Sequence, residues 1–81
     1  MIIENQILEV FRKVFNDPNL MISSSMVTGD LPGWDSFKNV EILLACEADL
    51  GIRFRSKEMD AIESIGDLIE ACEAKYLAKN A

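Results

Sequence analysis

Apolar residues return with a helical period near both ends of the chain and through its middle. Ile3, Ile7, Phe11, Val14 and Phe15 form one stripe, while Glu4, Glu9, Arg12 and Lys13 fall elsewhere. That spacing predicts an amphipathic helix over about 3–15. Asn16-Asp17-Pro18 ends it, because proline cannot continue the hydrogen-bond ladder. Residues 19–34 show no clean period and carry three successive serines, Gly29, Pro32 and Gly33. A connection this long is a functional or well-packed one. Leu20, Ile22, Met26, Val27 and Leu31 are spaced so that some must turn inward, with room for a short helical turn. A second helix is expected over 36–50, closed by Gly51 as a left-handed C′ residue. A short third one follows over 57–62. The last, over 65–78, begins after Ser64, with Asp67 placed to complete a capping box. Its stripe is Ile65, Leu68, Ile69, Cys72, Tyr76 and Leu77, and the tail Lys79-Asn80-Ala81 is expected to fray.

The pattern therefore predicts an all-α chain with three main helices, one short helix and a long first loop. It contains no strand pattern, internal repeat or low-complexity tract. With 81 residues there is material for a single domain, 1–81, around one modest core. Apolar residues make up 49% of the chain, enough to drive folding.

Charge narrows the function. The formal net charge of −6 argues against a primary nucleic-acid role, which needs a basic face, and favours partners that present Lys and Arg. There is no histidine, which removes the commonest general base and metal ligand. Cys46 and Cys72 fit no metal or C-x-x-C redox spacing. Each falls on an expected core stripe, and both are read as free thiols of a reducing cytosol. Met-Ile-Ile-Glu-Asn has no basic stretch or long apolar run, so no signal peptide, membrane span or lipidation box is expected.

The second helix carries two apolar faces. At about 100° per residue, with Phe37 at zero, Ile42, Leu43, Cys46 and Leu50 fall between roughly 140° and 240°. Phe37, Val40, Leu44 and Ala48, with Glu41 and Glu47, fall on the opposite side. A helix in a small bundle buries one stripe, so a second one needs a cause. Either a neighbouring helix or the long loop covers it, or it is a docking surface with an acidic rim.

Gly33-Trp34-Asp35-Ser36-Phe37 leads into this helix. Asp and Ser before an apolar helix are caps in the ordinary case. A serine nucleophile acting alone needs a base and an oxyanion hole, and no histidine exists to serve it, so autonomous hydrolysis has no support.

Asp35-Ser36-Phe37 followed by Val40-Glu41 resembles the modification site of acyl and peptidyl carrier proteins, where Asp-Ser-Leu opens the second helix and a Val-Glu pair follows. Leu50-Gly51-Ile52 is similar to that family's exit from the helix, and Ser64-Ile65-Gly66-Asp67-Leu68 to the start of its last one. The resemblance runs from about Leu31 to Cys72. It implies a four-helix bundle of the acyl-carrier type that is not an enzyme. Ser36 would accept 4′-phosphopantetheine from coenzyme A, and Asp35 would assist in the transferase complex by helping to hold its metal ion. Phe37, Val40, Glu41, Leu44 and Glu47 would contact partner enzymes. The implied partners are a phosphopantetheinyl transferase and an acyl- or aminoacyl-loading ligase or synthase. Apart from the resemblance, a monomer is the default, with weak dimers through the second apolar face as the other outcome. The arm's thiol would hold cargo as a thioester. The alternative is a helical interaction adaptor in which Ser36 is only a cap.

Four features depart from the fatty-acid type. Phe37 stands for the usual Leu, Lys38 and Ala48 replace residues that are often acidic, and Arg53, Arg55 and Lys57 form a basic run read as a solvated loop. Gly-Trp-Asp-Ser resembles specialised stand-alone carriers. The expectation is a dedicated polyketide, aminoacyl or modified-glycan precursor pathway.

Overall fold

The computed structural model describes residues 2–79, with the side chain of Ile2 left aside. Of the tail expected to fray, Lys79 is a correction, since it is the last residue of the final helix and its Nζ donates to Leu50 O, while Asn80 and Ala81 lie outside the described residues. Four helices follow in order: α1 (Ile2–Val14), α2 (Ser36–Leu50), α3 (Ser56–Ala61) and α4 (Ile65–Lys79). The architecture is an all-α four-helix bundle with a short third helix and a long loop over residues 15–35.

One core holds α1, α2 and α4 together. Ile3, Ile7, Val10 and Phe11 of α1 meet Ile42, Leu43, Cys46 and Leu50 of α2 and Ile65, Leu68 and Cys72 of α4. Val14 and Phe15 are only half-buried, and fully buried Val10 takes a place in the stripe that the spacing had not given it. Leu77 is a correction. It is 65% exposed and turned to water, although Tyr76 beside it still packs against the core and Lys79 beyond it reaches the end of α2.

The loop packs instead of hanging free. Leu20, Ile22, Met26 and Leu31 are half-buried against the core, and Trp34 is buried with its ring edge-on to Phe11 at 5.4 Å. No helix forms within the loop. It turns four times through hydrogen bonds from Leu20 N to Asp17 O, Met26 N to Ser23 O, Asp30 N to Val27 O and Trp34 N to Leu31 O.

Loop carbonyls also satisfy the start of α4. Ile65 N donates to Met26 O and Gly66 N to Ser24 O, at 2.9 and 2.8 Å. A Cβ on Gly66 would stand 3.0 Å from Ser24 O, so glycine lets the two backbones approach this closely. The capping box forms as the sequence proposed. Ser64 Oγ accepts from Asp67 N at 3.1 Å, and Asp67 Oδ2 accepts from Ser64 N at 3.3 Å.

Gly51 closes α2 at φ 65°, the left-handed conformation that a C′ glycine adopts without strain. Lys79 Nζ donates to the carbonyl of Leu50 at this helix end, at 3.3 Å. The next residues alternate. Ile52 and Phe54 are buried, while Arg53, Arg55 and Lys57 face out. α3 contributes no fully buried residue, and its ion pair from Glu58 to Lys75 of α4, at 2.7 Å, helps to anchor it.

Candidate functional site

The start of α2 settles which residue caps it. Asp35 is the N-cap, with extended backbone, and its Oδ1 accepts from Lys38 N at 2.8 Å. Ser36 is therefore the first helical residue. The amides of Ser36 and Phe37 precede the helical ladder and point out of the helix end with their partial positive charge. Ser36 is exposed, and its hydroxyl has no hydrogen-bond partner among the described residues. The reading of Ser36 as only a cap is thus corrected, since a neighbouring carboxylate already does that job.

Trp34 fixes the approach to this point. Its ring is 5% exposed, its indole N–H donates to Asn39 Oδ1 at 3.3 Å, and Asn39 N donates to Asp35 O at 2.9 Å. The loop end is thereby pinned to α1 on one side and to the first turn of α2 on the other.

Ser36 stands at the edge of a groove of about 480 Å³. Thr28 of the loop, Asn39, Val40 and Leu43 of α2, Ser56, Met59 and Asp60 of α3, and Ile62 share it. Hydroxyl, amide and carboxyl groups alternate there with apolar walls. Sequence reasoning missed Thr28, Asn39, Ser56 and Asp60, because they come from three separate segments and no local pattern links them.

The second apolar face of α2 stays uncovered. Phe37, Val40 and Leu44 are 75%, 51% and 53% exposed, so neither a helix nor the loop packs over them. The rim is less acidic than the sequence suggests. Glu41 is exposed but has Lys38 Nζ at 3.6 Å. Glu47 is half-buried, and its Oε2 accepts from Phe54 N at 2.8 Å, so one of its oxygens holds the exit loop. Arg53 borders the same hollow as Leu44, Glu47 and Ala48. No group of three or more metal-ligating side chains occurs among the described residues.

Two proteins named as mitochondrial acyl carrier proteins align with this chain. The one from Schizosaccharomyces pombe is 36% identical over 80 residues, 95% of the chain. The chain belongs to the acyl carrier protein family. The Neurospora crassa acyl carrier protein is 35% identical over 65 residues, 80% of the chain. The chain spans 65% and 47% of these relatives' own lengths. The fold agrees with the solution structure of a holo acyl carrier protein from Geobacter metallireducens, at a TM-score of 0.88 and 24% identity over 98% of this chain and 91% of that one. No family model matches the chain. Among the described residues of this chain, no helix is long and apolar enough to cross a membrane.

Proposed function

We propose that this chain, taken as one carrier domain over 1–81, receives 4′-phosphopantetheine on Ser36 and delivers the attached acyl or aminoacyl groups to partner enzymes. The observation that carries the reading is Ser36 itself, an exposed, unengaged hydroxyl on the first residue of α2, inside a family of carriers.

The residues fit the group. Ser36 Oγ supplies the nucleophile for a phosphodiester drawn from coenzyme A, and its proton leaves to a base of the transferase, since this chain offers no histidine. The helix N-terminus tolerates the resulting phosphate through its free amides. Asp35 spends Oδ1 on the cap and keeps Oδ2 for a transferase-borne cation, which also screens its charge from the phosphate. When bound, the arm supplies a terminal thiol that holds cargo as a thioester. Thr28, Asn39 and Ser56 offer hydrogen bonds to an arm lying in the groove, and Val40 and Leu43 offer apolar contact. The chain is a carrier and not an enzyme.

Phe37, Val40 and Leu44, with Glu41 and the free oxygen of Glu47, supply the docking strip for a phosphopantetheinyl transferase and for a loading ligase or synthase. Such contacts fall at the small, transient end of protein interfaces. Lys38, Ala48 and the exposed Arg53, Arg55 and Lys57 support a client set different from that of the fatty-acid type, in a polyketide, aminoacyl or other dedicated pathway. The free thiols fit a reducing interior such as the cytosol, and a monomer is the default state. The names of its relatives make the mitochondrial matrix the competing compartment, and fractionation decides between them.

Incubation with coenzyme A and a broad-specificity phosphopantetheinyl transferase, followed by intact-mass measurement, tests the core of this reading. The chain gains one phosphopantetheinyl group and Ser36→Ala gains none. A chain that several transferases leave unmodified is not a carrier.

A further inference from the structure

The stretch after α2 runs against the charge of the rest of the chain. The protein has a formal net charge of −6, yet residues 51–57 hold Arg53, Arg55 and Lys57 and no carboxylate. Burial of Ile52 and Phe54 turns Arg53 and Arg55 outward, and Lys57 follows them, also exposed, in the first turn of α3. The carboxylates close by in sequence are committed elsewhere. Asp49 holds Lys13 at 3.2 Å, Glu47 Oε2 accepts from Phe54 N at 2.8 Å, and Glu58 holds Lys75 at 2.7 Å. Asp60 lines the groove beside Ser36. Arg53 and Lys57 have no hydrogen bond or ion pair among the described residues.

A hollow of about 440 Å³ opens where this run begins, at the far end of the uncovered face of α2. Leu44, Ala48 and Ile52 give it apolar walls, and Glu47 and Arg53 bring the charges. Glu47 is half-buried with one oxygen already held, so it sets one withdrawn charge against three exposed cations.

We propose that the hollow and the cations beside it receive an acidic protein partner. An apolar side chain of that partner seats against Leu44, Ala48 and Ile52, and carboxylates next to it pair with Arg53 and with Arg55 or Lys57. The proposal rests on the carrier reading above and names the chemistry of the client. An arginine fork suits a carboxylate, which it can grip with two parallel hydrogen bonds. An apolar pocket with charge at its border is the make-up of a protein contact. A long polyanion such as a nucleic acid fits poorly, because the net charge of the chain repels it beyond this short run. Ala48 lies twelve residues from Ser36, about 18 Å along α2, so the contact anchors a client without crowding the hydroxyl.

The test titrates the isotope-labelled full chain, at low ionic strength, with two synthetic helical peptides and reads amide shifts by NMR. Both peptides carry the same leucine face, one flanked by glutamates and the other by lysines. Vesicles of phosphatidylserine and phosphatidylcholine form a third arm. The glutamate peptide should shift the amides of Leu44, Ala48 and residues 51–57, and bind there about tenfold tighter than the lysine peptide, the order expected of three exposed ion pairs. Added salt should erase most of that preference. Arg53→Glu should reverse it, and Lys57→Glu, at a second exposed position, should reduce it. Both variants should keep the circular dichroism of the parent, since neither side chain holds anything in the fold. The proposal is overturned if the lysine peptide binds these amides as tightly, if neither peptide shifts them, or if Arg53→Glu folds and leaves the preference unchanged. Vesicles that perturb these amides where the glutamate peptide does not would make an anionic membrane the occupant and sink the protein partner. Loading the same preparation from coenzyme A with a transferase keeps the two readings apart. A chain that loads yet shows no acidic preference keeps its carrier role and loses this client. One that does not load loses the carrier role and, with it, the client.

Discussion

Replacing Asp35 separates two jobs that one side chain performs. Its Oδ1 accepts from Lys38 N at 2.8 Å, and this is the side-chain cap of α2. Losing an N-cap carboxylate costs about 1 kcal/mol, within a range of roughly 0.5–2. Asp35 is exposed, so water partly replaces the lost bond, and the backbone bond from Asn39 N to Asp35 O survives. The lower half of that range therefore applies to Asp35→Ala, near 1 kcal/mol. In a domain of this size such a loss lowers Tm by about 4–8 °C and raises the unfolded-to-folded ratio about fivefold. Asparagine caps about as well as aspartate, so Asp35→Asn should stay within about 0.5 kcal/mol of the parent, the small residue being lost charge at the helix N-terminus. Ser36→Ala should likewise change little, because its hydroxyl holds nothing in the fold. Urea unfolding followed by far-UV circular dichroism measures all three. Loading by a phosphopantetheinyl transferase sorts them differently. Asp35→Asn should load slowly despite its stability, and Ser36→Ala should not load at all. If Ser36→Ala destabilised α2 as much as Asp35→Ala, the cap would be the serine, and the assignment of its hydroxyl to chemistry would be refuted.

Ile42 is 0% exposed at the centre of α2's core face, so Ile42→Ala should cost about 2–5 kcal/mol, comparable with the whole stability of a small domain, and a shifted or absent urea transition checks it. Phe37→Ala, at a 75% exposed position, should leave stability within about 0.5 kcal/mol while slowing loading; an unchanged loading rate would remove Phe37 from the docking strip. The hydrogen bond from Lys75 and the backbone amide of Arg55 hold the Glu58 carboxyl below its ordinary value of 4.5. A lowered folded-state pKa gives stability that is present above the ordinary value and is lost as pH falls through the folded one. α3 should therefore loosen from α4 in acid, seen as faster amide exchange over residues 56–61, and Glu58→Gln should abolish that pH dependence.

Much of the fold was legible because it is local. Helical period, Gly51 after Leu50 and the Ser64–Asp67 box each report on a few adjacent residues, and such signals survive whatever packs around them. The cap of α2 was not, since Asp35 and Ser36 both have the right chemistry and only backbone geometry chooses between them. Glu47 looked like rim charge by helical angle, yet half of its carboxylate is committed to Phe54 N across the turn.

The amino-acid pattern determined that α2 has two apolar faces and that a serine stands at its tip. It could not determine which face is covered, because that depends on where α1, α4 and the loop end up. Tertiary packing decided it, burying Ile42, Leu43, Cys46 and Leu50 and leaving Phe37, Val40 and Leu44 in water. It also assembled the groove beside Ser36 from the loop, α2 and α3. Period is a property of neighbouring residues along a chain. Adjacency between distant segments is set by how helices share one core, and only the folded molecule carries it.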